Sequence, residues 1–291
     1  MAGATYLVLT KLRPPSSVHS RSRLIVREHL QARVRAACAY RAVIIAAPAG
    51  YGKTTLLAEF AKSGPKLAWY SLDRADQDLS TFLSYLVEGI AGQVPAFDPS
   101  NELRRQTASE DIYTRWESFL SQLVNRLDQV ASAGLVIALD DFHTVQDGER
   151  VCKALDYLIR YAPNGICFTI ASRTNVNLPC LPKQRAIGQV LEIDRGDLEF
   201  DHQEVCRLLR DVYGIGLTPD EAALLQKETE GWPLALHLAG QARSGKNRVR
   251  TMMSSDSTLS RNHLFSYLAA EVVGQQDQSV RTFLLQSSVL S

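Results

Sequence analysis

The sequence predicts an α/β protein: a doubly wound parallel sheet, followed from Leu198 onward by helices alone. Three observations carry that prediction. Short apolar runs rich in β-branched residues, Val43-Ile44-Ile45 and Leu135-Val136-Ile137-Ala138-Leu139 among them, have no polar alternation and so read as strands buried on both faces. Stretches of helical period separate such runs, and strand–helix alternation is how a parallel sheet is wound. Beyond Ile193 no further strand-like run occurs.

Taken in order, Tyr6-Leu7-Val8-Leu9 is a short apolar piece, and Thr10 to Ser17 reads as an extended arm because of Pro14 and Pro15. Arg23 to Ala37 is helix-like, with Leu24, Leu30, Val34 and Ala37 on one side and Arg27, Arg33 and Arg35 as a solvated face. Val43 to Ile45 is the first strand, a tight loop follows, and Thr54 to Ala61 is a helix. Strand, small-residue loop, Gly-Lys-Thr and helix together make a phosphate-binding loop. The chemistry needs these residue types. Gly50 and Gly52 let the backbone turn its N–H groups inward, Lys53 supplies a positive charge for phosphate, and the Thr54 hydroxyl is a ligand for Mg²⁺. The helix N-terminus, at Thr54 and Thr55, adds unpaired N–H groups and partial positive charge. Ala47 stands where the pattern asks for Gly; it is the next smallest side chain and keeps the turn. Without its strand and helix context, this stretch would be only a Gly-rich turn.

Leu67 to Leu72 is the second strand and Leu79 to Ile90 an amphipathic helix. Residues 93–109 read as a polar loop containing proline. Asp111 to Val130 is a long helix whose stripe of Ile112, Trp116, Phe119, Leu120, Leu123, Leu127 and Val130 is core packing. The third strand ends in Asp140-Asp141, about 85 residues after the loop, the Walker B arrangement. Asp140 is the candidate Mg²⁺ ligand with Thr54, and Asp141 the group that orients or deprotonates an attacking water. Many strands end at Asp; the phosphate loop is what makes this one specific. Glu149 to Tyr161 is another helix, and Ile166 to Ala171 a fourth strand ending at Ser172-Arg173. Arg173 is either a loop arginine on the surface or a fork for the γ-phosphate at the sheet's carboxyl edge. Gln189 to Ile193 is the fifth strand.

In the helical part, Asp201 with Glu204 reads as a capping box opening a helix through Val212. Thr218-Pro219-Asp220-Glu221 opens a second, and Gly231-Trp232-Pro233 breaks the chain before Leu234 to Ala242. Residues 244–262 read as a linker, with two short helices near 263–274 and 278–289.

With 45% hydrophobic and 22% charged residues in 291, a sizeable core is within reach. Net charge is +1, and no dense basic patch supplies the roughly 6–10 phosphate contacts that hold duplex DNA. This argues against direct DNA binding by this stretch. Five cysteines, an odd number with no C-x-x-C pair, argue against a zinc site or disulfide framework. No signal-peptide pattern and no apolar run of membrane-spanning length is seen, so the expectation is a cytoplasmic protein with no membrane partner.

These residues resemble the N-terminal part of MalT-like regulators, signal-transduction ATPases of the STAND class (NB-ARC-like), many of them large LuxR-type activators. The resembling pieces are Thr10-Lys11-Leu12-Arg13-Pro14-Pro15, Ala47 to Thr55, Trp69-Tyr70-Ser71-Leu72-Asp73, Leu139-Asp140-Asp141-Phe142-His143, Ser172-Arg173, Leu198-Glu199-Phe200 and Glu230-Gly231-Trp232-Pro233, with Tyr267 to Val273 and Phe283 to Leu290 following in family order. The resemblance implies that Arg173 senses the γ-phosphate and that Pro233 covers the nucleotide. It further implies that residues 1–40, arm and helix, complete the site. It implies a nucleotide-binding domain at 41–197, a helical domain at 198–243, a linker at 244–262, and the beginning of a winged-helix domain at 263–291, so that the chain would be a fragment or a truncated relative. The implied function is an ATP/ADP switch. An inducer would act through a sensor domain not in this sequence, the ATP state would self-associate, a C-terminal domain also outside it would bind DNA, and slow hydrolysis would reset the system. Two rivals stay open: a small-molecule kinase or other ATP-dependent signalling protein unconnected with transcription, told apart by a phosphorylated product, and a scaffold with a relic nucleotide site, against which the intact Lys53, Thr54, Asp140 and Asp141 argue.

Overall fold

A computed structural model describes residues 7–15, 24–63, 66–97, 101–131 and 134–244. The linker, the two late helices and the winged-helix expectation lie outside the described residues. Two units divide the chain, one containing Val26–Pro48 and Gly52–Leu198, the other Ser22–Ile25, Ala49–Tyr51 and everything from Glu199 on.

In the first unit the strands are β1 (Ala42–Ala46), β2 (Lys66–Ser71), β3 (Leu135–Asp140), β4 (Ile166–Ser172) and β5 (Val190–Ile193). They form one sheet in the order β2-β3-β4-β1-β5, every pairing parallel. Every residue of β3 and β4 is buried, which is why these read as unbroken apolar runs. The register Ala46↔Ser172 and Ser71↔Asp140 lines up the carboxyl ends of the strands on one edge. Because β4 lies between β1 and β3, the residues after it sit between the phosphate loop and the acidic strand end.

The helices of this unit are α1 (Glu28–Arg35), α2 (Lys53–Ser63), α3 (Leu79–Gln93), α4 (Asn101–Thr107), α5 (Ile112–Val130), α6 (Glu149–Tyr161), α7 (Leu181–Ala186) and α8 (Arg195–Leu198). Asp78 caps α3 by accepting from Thr81 N at 2.8 Å. One face of α3, α5 and α6 supplies Phe82, Leu83, Phe119, Leu123, Leu155 and Leu158 to the core that covers the sheet.

Several local expectations are corrected. The helix expected from Arg23 begins at Glu28, because Arg27 is anchored outside it, donating to the carbonyls of Leu198 at 2.8 Å and Asp197 at 3.1 Å. The stretch 93–109 is not all loop: it contains α4, which buries Leu103 and ties Arg104 Nε to Glu88 at 2.6 Å. The arm is not extended throughout, since Leu9–Leu12 form a 3-10 turn, and only from Arg13 does the backbone run extended.

The arm is tied down by side chains of the first unit. Val8 N donates to Tyr85 Oη at 2.8 Å, Lys11 Nζ reaches Asp76 Oδ2 at 2.5 Å, and Leu12 comes against Gly89. Residues 8–12 therefore cover edge strand β2, three strands away from β1, about 14 Å at the usual spacing. The arm's described residues guard the sheet edge at β2.

The second unit is helical: α9 (His202–Arg207) runs into a π-helical turn at Leu208–Val212, followed by α10 (Pro219–Thr229) and α11 (Pro233–Ser244). Both capping boxes read from the sequence form, Asp201 with Glu204 and Thr218 with Glu221. Val205, Leu208, Leu209, Ala222, Leu225 and Leu236 make its core. Helix α10 ends on left-handed Glu230 and Gly231; at Gly231 (φ +66°) a Cβ would come within 2.6 Å of the Phe200 carbonyl, so the chain crosses there at backbone distance.

Candidate nucleotide-binding site

The site is built where β1, β3 and β4 end. The loop leaves β1 at Ala47, whose N–H bonds the Ser172 carbonyl at 3.2 Å and whose buried methyl group fits without disturbing the turn. Gly50 (φ +79°) and Gly52 (φ +83°) carry the reversal into α2. Lys53, Thr54 and Thr55 are the first helical residues, so their N–H groups have no acceptor within the helix. Lys53 is buried and folds back on its own loop, Nζ donating to Ala47 O at 2.6 Å and Pro48 O at 2.9 Å.

Thr54 Oγ1 donates to Asp140 Oδ2 at 2.8 Å, joining the two motifs across 86 residues of sequence. Asp141 adopts the left-handed conformation (φ 58°), held by buried Phe142 and by its carbonyl, which accepts from Thr144 N at 3.0 Å and Thr144 Oγ1 at 2.9 Å. Non-glycine residues take that conformation rarely and at a cost of about 1–3 kcal/mol, and Asp is one of the few that tolerate it. It turns the Asp141 carboxylate to half-exposure, 4.0 Å from Arg173 Nε and 3.8 Å from His143 Nδ1. The structure thus brings together Ala47, Gly52, Lys53, Thr54, Asp140, Asp141 and Arg173. Pro233 is the buried first residue of α11, and Gly50 groups with that helical unit. His143 had entered only as part of a motif, and nothing in its spacing marked it.

Burial pushes the Asp140 carboxyl up to about 6, the neighbouring Asp141 charge adding to this while the Thr54 hydroxyl, the Asp141 N–H and Lys53 oppose it. Burial likewise pushes the Lys53 ammonium down to about 8, Asp141 and Asp140 opposing and Arg173 assisting. A hydroxyl beside a carboxylate is a donor set that suits a hard divalent cation, and a desolvated ammonium beneath a ring of helix N–H groups suits phosphate. The residues present fit both.

Asp140 gives a signed pH prediction. Its folded pKa is above its unfolded value, so its favourable contribution is complete below 3.8 and is lost as pH rises through about 6. At pH 7.5 the ionised carboxylate is then a standing cost of roughly 3 kcal/mol. Asp140→Asn, which keeps an acceptor for Thr54, is expected to raise the melting temperature of the nucleotide-free protein at pH 7.5 and to flatten its pH dependence between 4 and 6. A lower melting temperature with the slope unchanged would refute this account.

Residues 21–163 match the family model of the AAA ATPase domain. The HTH-type transcriptional regulator MalT of Yersinia pestis (strain Pestoides F) is 30% identical over 285 residues, 98% of this chain and 31% of the relative. The chain is similar to MalT-like P-loop ATPases. The MalT of Cronobacter sakazakii (strain ATCC BAA-894) is 32% identical over 274 residues, 91% of this MalT-like chain and 29% of that protein. The MalT-like chain therefore spans about a third of the length of these relatives. Among solved structures, a Walker-type ATPase of Pyrococcus abyssi is similar with a TM-score of 0.53 at 13% identity, covering 92% of this chain and 78% of that one. The Aeropyrum pernix ORC1 protein, solved in complex with DNA, is similar with a TM-score of 0.51 at 17% identity, covering 95% and 75%. These two likenesses concern the fold. No helix among the described residues is long and apolar enough to cross a membrane.

Proposed function

We propose that this chain is the ATP/ADP-binding switch of a MalT-like transcriptional activator. The observation that carries the reading is the Lys53–Thr54–Asp140 constellation, a buried cation and a hydroxyl–carboxylate pair at 2.8 Å at the head of a helix. Lys53 holds the β- and γ-phosphates, and the N–H groups of the first turn of α2, at Lys53, Thr54 and Thr55, take the remaining phosphate oxygens. Thr54 and Asp140 hold Mg²⁺, which, when bound, neutralises phosphate charge. Asp141 orients the attacking water and takes its proton, with Arg173 and His143 setting the direction of its carboxylate. Arg173 is also the group that tells ATP from ADP, since only ATP offers it a γ-phosphate. A ligand moves a conformational equilibrium only through such a differential contact. Pro233 closes over the nucleotide. Turnover is slow, on the order of 10⁻⁴ to 10⁻² s⁻¹, as in switch NTPases working without a partner's arginine. In the whole protein an inducer-binding domain sets the exchange of ADP for ATP, the ATP state self-associates, and a separate helix-turn-helix domain carries DNA.

The deciding experiment is the nucleotide content of the purified protein, released by denaturation and separated by ion-exchange chromatography, followed by titration with ADP and ATP–Mg²⁺. Stoichiometric ADP, or binding of both nucleotides, is the expected result. No bound nucleotide and no binding of either refutes the reading.

A further inference from the structure

Five carbonyls of the phosphate loop, those of Ala47, Pro48, Ala49, Gly50 and Gly52, are engaged, two of them by the turn at Trp232 and Leu234. A phosphate loop works by presenting N–H groups to an anion; a carbonyl facing the same way would repel it. Ala47 O and Pro48 O accept from Lys53 Nζ, and Gly52 O accepts from Leu56 N at 2.8 Å. Ala49 O accepts the indole N–H of Trp232 at 3.1 Å, and Gly50 O accepts Leu234 N at 3.2 Å. The Trp232 ring also stacks on Tyr51, centroids 6.4 Å apart at 26°. Contact with Gly50 is so close that a Cβ there would lie 2.7 Å from Trp232 Nε1 and 2.9 Å from Leu234 Cβ.

We propose that Trp232 is a positioning residue of the phosphate-binding loop. Its indole N–H turns the Ala49 carbonyl away from the phosphate space, and its ring fixes Tyr51, so that the crown of the loop is held with its N–H groups free for an anion. This deepens the nucleotide-switch reading and rests on it. Pro233 serves the same clasp from next door: as the first residue of α11 it lacks an N–H and leaves the Leu234 N–H, a first-turn donor with no partner in the helix, to take the Gly50 carbonyl. The turn Gly231-Trp232-Pro233 is thus a set of three parts with separate tasks: a backbone crossing, an indole donor and a helix start. The other indoles are elsewhere, Trp69 donating to Ser71 Oγ at 2.7 Å and Trp116 packing edge-on against Tyr157. Trp232 is consequently also the fluorophore that a nucleotide would perturb.

Trp232→Phe in the full 291-residue chain keeps an aromatic ring and deletes the donor. Loss of one such hydrogen bond is expected to weaken ADP and ATP–Mg²⁺ about 2- to 10-fold. The change in tryptophan fluorescence on nucleotide addition, present in the wild type, is expected to vanish in the variant although Trp69 and Trp116 remain. A lowered melting temperature with wild-type affinities would mean a structural role only and would overturn the proposal, as would an unchanged fluorescence response. Should Trp232→Phe fail to fold, the indole ¹⁵N–¹H resonance of Trp232 in the wild type, assigned with the aid of Trp69→Phe and Trp116→Phe, decides: it should shift and exchange more slowly on saturation with ADP, and an unmoved resonance overturns the proposal. A wild-type chain that binds no nucleotide overturns the switch reading instead, which keeps the two failures apart.

Discussion

Lys53→Ala is expected to weaken ATP–Mg²⁺ and ADP binding about 100-fold or more while leaving the empty protein at least as stable as the wild type. The two halves of that expectation have one cause. Lys53 is 7% exposed, and burial works against its charge so strongly that the ammonium falls to about 8. Two backbone carbonyls are its only hydrogen-bond partners among the described residues, a modest return for desolvating a cation. Phosphate supplies the missing counter-charge, and removing one partner of a buried, hydrogen-bonded charge pair costs about 2–5 kcal/mol in binding. Ligand at a hundredfold excess over Kd stabilises a protein by about 2.7 kcal/mol, so thermal melting with and without 1000-fold titrations of nucleotide reads both halves at once. The wild type should gain about 5 °C or more from saturating nucleotide. Lys53→Ala should gain no more than about a third as much, from a baseline no lower than the wild type's. A variant that melts several degrees lower without ligand would mean that Lys53 holds the loop together instead of waiting for phosphate. Lys53→Arg does not rescue, because the planar fork does not fit where a compact ammonium lies between two carbonyls.

The sheet was legible because its strands are buried on both faces. Val43 to Ile45 and Leu135 to Leu139 carry no polar residue that could confuse the period, and the observed strands extend each by only a residue or so. The capping boxes were legible because their chemistry is local: Asp201 and Glu204 satisfy each other's N–H groups wherever the helix packs. Helices α4 and α7 were not, since each is short and fixes itself by a single fully buried leucine, Leu103 and Leu181, which sets no period. In the site, residue types named Lys53, Thr54, Asp140 and Asp141, but geometry had to come from the fold. Nothing in the pair Asp140-Asp141 announces that the second residue is left-handed. Arg173 is open between loop surface and site in the sequence, and only the fold shows that its guanidinium lies 4.0 Å from Asp141. Trp232 lies 183 residues from the carbonyl it holds, and only tertiary structure brings the two together. The same limit hid the destination of the arm. Pro14 and Pro15 suggest extension, whereas where the arm goes depends on Lys11 finding Asp76, 65 residues away.

That ion pair carries the largest expected effect on stability. Asp76 is fully buried, its carboxylate taking Lys11 Nζ on Oδ1 at 2.7 Å and Oδ2 at 2.5 Å, and Oδ2 also accepting Asp73 N at 2.7 Å. Lys11 bridges as well to Asp73 at 3.1 Å and lies 4.6 Å from the centre of the Tyr85 ring. Lys11→Met keeps most of the aliphatic stem and removes only the ammonium, leaving a buried carboxylate with the Asp73 N–H and the Tyr70 hydroxyl beside it but no counter-charge. Breaking a buried pair from one side costs about 3–5 kcal/mol, and the partial exposure of Lys11 sets the expectation near 3. Denaturant titration should show this as a lower midpoint at unchanged slope. Hydrogen exchange should show it locally, the Lys11 amide, bonded to Val8 O at 2.9 Å, losing protection first. Adding Asp76→Asn, which removes the stranded charge and keeps an acceptor for Asp73 N, should restore about half of the loss; the double-mutant cycle then reports the coupling directly. The pH dependence has a definite sign. Burial opposes the Lys11 charge, but hydrogen bonds and charge from Asp76 and Asp73 outweigh it and hold its pKa above 10.5. The contribution of Lys11 is therefore complete below 10.5 and is lost only as pH rises through that higher folded value. The difference between wild type and Lys11→Met should stay constant from pH 6 to 9 and shrink only under strong alkali. A difference that faded near neutrality would mean that the arm is held by its apolar contacts, Leu12 on Gly89 above all, and that the ammonium merely sits where water could replace it.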